Sequence, residues 1–117
     1  MVGEYLRDKP RDVLYQLARS DRPMERRTAI LSTFAFIRRG ELDDAYRIAE
    51  LLLEDDVDLV HKAVGWMLRE AGKKDEPRLR AFLDEHAPTM PRVMLRYSIE
   101  KLDPALRRSY LDMKAAS

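Results

Sequence analysis

Lys62, Trp66 and Arg69 lie at i, i+4 and i+7 within His61-Lys62-Ala63-Val64-Gly65-Trp66-Met67-Leu68-Arg69-Glu70. On a helix those offsets share one face, so the spacing sets an indole between two cations. Such a face meets a phosphate backbone through its charges and a nucleotide through the flat ring. The same pattern also fits an amphipathic helix whose tryptophan is core and whose cations are solvated, with Asp58 and Glu70 near enough in sequence to pair with them. Residue spacing alone leaves both readings open.

Other chemistries find little support. The chain has no cysteine, which excludes disulfides, thiolate metal sites and cysteine nucleophiles. Its two histidines, His61 and His86, are too far apart for a local ligand pair. His61 reads as a packed, half-buried residue. There is no Gly-rich phosphate loop, no Gly-x-Ser-x-Gly and no His-Glu-x-x-His. Asp43-Asp44 and Glu54-Asp55-Asp56 lack the spacing of a calcium loop and read as exposed acidic segments. No metal, cofactor or catalytic residue is therefore expected. No run approaches ~20 apolar residues and no leader pattern opens the chain, so a soluble, cytoplasmic protein is expected.

The net charge of +1 conceals a segregation. Residues 1–40 hold nine lysines and arginines against five acids, residues 41–61 one against eight, and residues 62–117 twelve against eight. A basic surface interrupted by an acidic helix and loop suits a nucleic-acid partner.

The elements that must position these residues are helical, with no strand signal. Pro10 and Pro23 read as first-turn prolines, each preceded by an aspartate (Asp8, Asp21) that favours the positive helix end. Gly40 and Gly72 follow Arg38-Arg39 and Arg69-Glu70-Ala71 and read as helix C-termini, with Arg38-Arg39 serving the negative helix end. The periodicity predicts helices over 10–19, 23–39, 42–54, 57–71, 76–86, 91–101 and 104–115 in one domain spanning residues 1–117. Val2 to Leu6 resembles the last turn of a helix whose start is missing. The helix over 23–39 is apolar nearly all round and should be sandwiched. The helix over 42–54 carries Leu42, Ala45, Ile48, Ala49, Leu52 and Leu53 as one stripe and should be an outer helix, a role that Leu79, Phe82 and Leu83 repeat. The last helix should cap the stack.

Arg27-Thr28-Ala29-Ile30, His61-Lys62-Ala63-Val64 and Arg96-Tyr97-Ser98-Ile99 recur at spacings of 34 and 35 residues. Each pairs a small residue with a β-branched one, the chemistry of a close helix seam. The period predicts an all-α fold of HEAT-like helical repeats stacked as an α-α superhelix, or solenoid. It also predicts that Arg27, His61 and Arg96 form a row along one surface.

With these motifs the sequence resembles the C-terminal half of the AlkD-like DNA alkylation repair family, HEAT-like repeat glycosylases that remove alkylated purines. The likeness rests on Glu25-Arg26-Arg27-Thr28-Ala29-Ile30-Leu31, Lys62-Ala63-Val64-Gly65-Trp66-Met67-Leu68-Arg69-Glu70 and Leu95-Arg96-Tyr97-Ser98-Ile99. It implies a concave basic surface for alkylated duplex DNA, with Arg27 on phosphate and Trp66 beside the lesion. Lys62, Arg69 and Arg96 complete the expected DNA-binding set. In that family a carboxylate stabilises the positive sugar as the glycosidic bond breaks. It comes from a Trp-Asp-x-x-Asp-like helix preceding the segment that Val2-Gly3-Glu4-Tyr5-Leu6 resembles.

No Trp-Asp pair occurs here, and Trp66 is the only tryptophan. Glu4 is the acid nearest that segment, on a first turn with nothing before it to hold it. The expectation is a DNA-binding member without glycosylase activity as an isolated chain, either a fragment or a short homologue. The weak start at Met1 favours a fragment. The competing reading is a protein-interaction module that self-associates through an apolar N-terminal end.

Overall fold

The structure, a computed structural model, describes residues 11–113. Among them are α1 (Asp12–Ala18), α2 (Pro23–Ser32), α3 (Phe34–Arg38), α4 (Asp43–Leu51), α5 (Asp58–Lys74), α6 (Glu76–His86), a 3-10 turn (Ala87–Thr89), α7 (Arg92–Ser98) and α8 (Pro104–Asp112), with no strand. The all-helical expectation is met. The expectations about Asp8-Pro10, Val2–Leu6, Glu4 and the apolar N-terminal end fall outside the described residues.

α5 is the centre of the fold. It packs most extensively against α7, with α2 along its other flank and α4 and α6 on its remaining sides. The small residues that recur at 34- and 35-residue spacing sit in these seams: Ala29 on α2, Ala63 on α5 and Ser98 on α7 are all buried. Ser98 tolerates burial because its hydroxyl donates to the Leu95 carbonyl at 2.8 Å. Of the outer stripes, Leu42, Ala45, Ile48, Ala49 and Leu52 are buried from α4 and its two flanking residues, with Leu53 only partly buried, and Leu79, Phe82 and Leu83 are buried from α6.

The helix expected over 23–39 breaks at Thr33. Ser32 Oγ donates to the Thr28 carbonyl at 2.7 Å and Thr33 Oγ1 to the Ile30 carbonyl at 2.6 Å, in competition with the backbone ladder. Such back-bonding bends a helix. The bend turns α3 inward, where Ala35, Phe36 and Ile37 are buried.

Two glycines read as punctuation have different fates. Gly40 ends α3 at φ +85°, with the Gly40 amide donating to Ile37 and the Glu41 amide to Phe36, both at 2.9 Å. That is a Schellman close, which a glycine enters without steric cost. Gly72 does not end α5, which continues to Lys74. A side chain at Gly72 would meet Leu79 of α6. The glycine therefore makes room for a neighbour, and the stop falls to Asp75, whose side chain accepts the Arg78 amide at 3.1 Å to cap α6.

The acidic segment is structural mortar. Asp44, expected on an outer surface, is 4% exposed and accepts from Arg11 and Tyr15 of the α1 region, each at 2.6 Å. Asp43 holds Arg78 at 2.8 Å and Asp55 holds Arg26 at 2.6 Å. Burial pushes the Asp55 carboxyl up, but the Arg26 guanidinium and the Val57 amide outweigh it and leave the group below its ordinary value.

Candidate nucleic-acid interface

A groove of about 230 Å³ opens where α2, α5 and α7 meet, lined by Arg27 and Leu31 of α2, by Leu59, Lys62, Ala63, Trp66 and Arg69 of α5, and by Tyr97 of α7. Leu59, Lys62, Trp66 and Arg69 fall at steps of three, four and three, with Ala63 beside Lys62, so one helical face supplies most of the wall. Four of the five residues expected to bind DNA, Arg27, Lys62, Trp66 and Arg69, are thus brought together. Gly65 brings the walls close. A Cβ there would lie 2.6 Å from Tyr97 Cβ and 2.7 Å from the Met94 carbonyl oxygen, so α7 approaches α5 nearer than any side-chain-bearing residue allows.

Trp66 is not a core residue. It is 41% exposed, with its ring 6.3 Å from that of Phe34 at 36°. The stripe that should bury a helix is carried instead by Val60, Val64, Met67, Leu68 and Ala71, all buried. Phe34 steadies the indole from α3, and the Arg38 guanidinium lies 5.9 Å from the Phe34 ring centre. Arg38, read as a helix-end partner, therefore sits at the margin of the same aromatic pair. Leu59, 51% exposed, adds a second apolar group to the groove.

The cations of the groove differ in how firmly they are engaged. Arg27 has no ion-pair partner among the described residues, whereas its neighbour Arg26 points into the fold to Asp55. Lys62 lies 3.2 Å from Asp58, whose hydrogen bond holds the ammonium above its ordinary value, so it stays charged. Both members of that pair are exposed, and such pairs give way easily to a better anion. Arg69 is the most engaged, 3.1 Å from Glu100 and 3.5 Å from Glu70. Its Nε is buried without a well-aligned acceptor. None of the residues lining the groove is acidic.

Arg96 and His61 do not join this groove. Counted from the buried small residue, the groove-lining position is two before it on α2 (Arg27) but one before it on α5 (Lys62) and α7 (Tyr97). One residue is a turn of about 100°, so the row expected at His61 and Arg96 faces elsewhere. His61 Nε2 is bonded to the Asp55 carbonyl in the turn entering α5. Arg96 lines a separate cleft against α8.

A groove with an arginine that has no ion-pair partner among the described residues, a charged lysine and an exposed indole, and no acid lining its walls, suits an anionic, planar-faced ligand. Residues 1–102 match the family described as "DNA alkylation repair enzyme". The chain belongs to that family. No curated protein and no solved structure matches it. Family membership agrees with a role in DNA repair and with the all-helical fold. For this family member, sequence reasoning missed Tyr97, Leu59 and Phe34. Tyr97 alone left a signal, since it occupies the repeat position equivalent to Lys62. Among the described residues no cluster of three or more potential ligands could hold a metal ion, and no helix is long and apolar enough to cross a membrane.

Proposed function

We propose that this chain binds DNA as a stack of HEAT-like repeats, with its groove against the backbone beside an alkylated nucleotide. Arg27 takes a phosphate, Lys62 adds a second positive charge, and Trp66 lies against the nucleotide face, steadied by Phe34. Arg69 supports the wall and engages the backbone when it leaves Glu100. One observation carries the reading: Arg27, without a partner among the described residues, opens into the same groove as an exposed indole, and no carboxylate lines that groove. With DNA as its partner, the chain works in the cytoplasm.

The same observation limits the chemistry. A cationic alkylpurine leaves readily, but accelerating its departure requires negative charge against the developing sugar cation. The groove provides none. On this reading the groove formed by the described residues binds DNA and does not itself supply the glycosidic step.

Binding of a labelled duplex, measured by fluorescence anisotropy across a salt series, tests this. Affinity falls steeply with salt through counterion release, and Arg27→Ala lowers the logarithmic slope by roughly 1 while Arg39→Ala leaves it unchanged. Salt-independent association, or an equal effect of the two substitutions, would point to the self-association reading and overturn this one. Release of 7-methylguanine or 3-methyladenine from methylated DNA at an enzymatic rate would refute the second half.

A further inference from the structure

A second cavity, of about 370 Å³, lies outside the groove just described, between α7 and α8. Its walls carry Arg96, Arg107 and Arg108, with Ile99, Pro104 and Leu111 as apolar floor and Glu100 as its one acid. Three guanidinium groups around one cleft are not what a helix seam needs for stability. Like charges repel, and a seam of this kind is normally closed by apolar groups or opposite charges.

The partners of these arginines show what is left free. Among the described residues, Arg96 and Arg108 have no hydrogen bond or ion pair to another side chain, and Arg107 reaches only the Glu100 carbonyl at 3.5 Å. Glu100 does not neutralise the cluster, because its carboxylate lies 3.1 Å from Arg69 on the α5 side. The cleft is held in shape from elsewhere. Arg92 donates to the Leu111 carbonyl at 2.8 Å, tying α7 to the far end of α8, and the Tyr110 hydroxyl bonds Asp84 of α6 at 2.8 Å.

From this geometry we infer that the α7–α8 cleft is a second phosphate-binding subsite, which takes a further phosphodiester of the same DNA that occupies the Trp66 groove. The inference rests on the DNA-binding reading above and extends it to residues that reading leaves unused. Guanidinium groups in a fork match the oxygens of a phosphate in pairs, and the exposed Arg96 and Arg108 are open to an incoming anion. The two sites are one ion pair apart. Arg69 lines the groove and bonds Glu100, which lines the cleft. A polyanion running along α7 therefore meets positive charge on both sides of that pair, and its arrival offers Arg69 a competing acceptor. A single backbone contact gives affinity but little orientation. Two contacts separated along the stack fix direction.

The experiment uses the whole chain, with anisotropy of a labelled duplex for affinity and Trp66 fluorescence for occupancy of the groove. Trp66 is the only tryptophan, so its quenching by a bound nucleotide reads the groove alone. Arg96→Ala/Arg108→Ala is expected to lower the logarithmic salt slope by about 2, since each phosphate contact releases close to one counterion. The quench at saturating DNA should stay that of the unsubstituted chain. Arg96→Lys/Arg108→Lys should restore most of the slope. Arg39→Ala/Arg80→Ala removes the same charge from other surfaces and should change the slope by far less. An unchanged slope in the cleft variant, an equal fall in the charge-matched control, or loss of the quench would overturn the inference while leaving the groove intact. Absence of salt-dependent binding by the unsubstituted chain would instead sink the DNA-binding reading itself.

Discussion

Gly65→Ala tests the joint on which the groove depends. On an open helix surface the exchange stabilises by about 0.8–1 kcal/mol, because alanine is the better helix former. Here the added carbon would lie 2.7 Å from the Met94 carbonyl oxygen and 2.6 Å from Tyr97 Cβ. Ordinary contact needs about 3.4 Å or more, so α7 must retreat by more than half an ångström along the most extensive helix contact in the fold. Neither obstacle is a flexible tip that can swing aside, which puts the strain near the upper end of the ~1–3 kcal/mol found for overpacked cores. The balance is a net loss of about 2 kcal/mol. For a chain of this size that lowers the melting temperature by about 8 °C. Gly72→Ala is the internal control, since its new methyl group would meet first the Cδ2 of Leu79, the far end of a side chain that can change rotamer. It should be near neutral, within about 1 kcal/mol of the unsubstituted chain. Thermal melts followed by circular dichroism read both. A Gly65→Ala chain as stable as the original, or less affected than Gly72→Ala, would refute the close approach of α5 and α7. Because Tyr97 rides on the same contact, the variant should also bind DNA more weakly at temperatures where it is still folded.

Three further outcomes follow from the charges. Asp55 is held below its ordinary value of 3.8, so the stability it contributes is present above that pH and is lost as pH falls below it; Asp55→Asn should flatten this acid limb in melts taken between pH 5 and about 2. Arg26→Ala strands the buried Asp55 carboxylate and should cost about 1–3 kcal/mol of stability by urea denaturation, whereas Arg27→Ala should cost almost none and act on DNA binding instead; equal effects on stability would refute the division between them. Glu100→Gln removes the acid shared by Arg69 and the α7–α8 cleft, so duplex affinity should rise and the salt slope steepen by up to about 1, and weaker binding would show that Glu100 positions the arginines rather than restraining them.

The helices were legible because they are written locally. Pro23 and Gly40 mark a start and a stop, and the 34- and 35-residue recurrence names the three small residues that occupy the seams. What failed needed distant partners. Gly72 looks like a terminator because the residues before it have the chemistry of a helix end. Only the position of Leu79 shows that the helix must pass through. Asp44 reads as a surface acid until Arg11 and Tyr15, 33 and 29 residues away, are seen to close on it. The row at Arg27, His61 and Arg96 failed for a different reason. A repeat period says which residues are equivalent along the chain, but each helix is rotated by its own packing, and one residue of offset moves a side chain a quarter-turn. Trp66 was ambiguous because the i, i+4, i+7 stripe is the same whether a face is buried or open. The choice depended on whether Val60, Val64, Met67 and Leu68 already filled the core.

The distribution of partners explains how a chain with a net charge of only +1 presents a groove lined by cations and no acid. Five of the eight acids of the segment 41–61 are spent on cations from both sides of it: Glu41 and Asp44 on Arg11, Asp43 on Arg78, Asp55 on Arg26, and Asp58 on Lys62. Each of these bonds fastens one helix to another or steadies a single one, and each removes a positive charge from the far field. Several of the described cations outside these pairs border the two clefts. Arg27 stands beside Trp66, and Arg96, Arg107 and Arg108 stand across the Arg69–Glu100 pair. A positive surface is thus produced by where the acids are used, not by an excess of bases. It follows that substitutions in the acidic segment act on DNA binding in two opposite ways. Releasing Lys62 from Asp58 frees a groove cation without loosening the fold, whereas removing Asp44 or Asp55 frees an arginine only by unfastening the helices that hold the groove in shape.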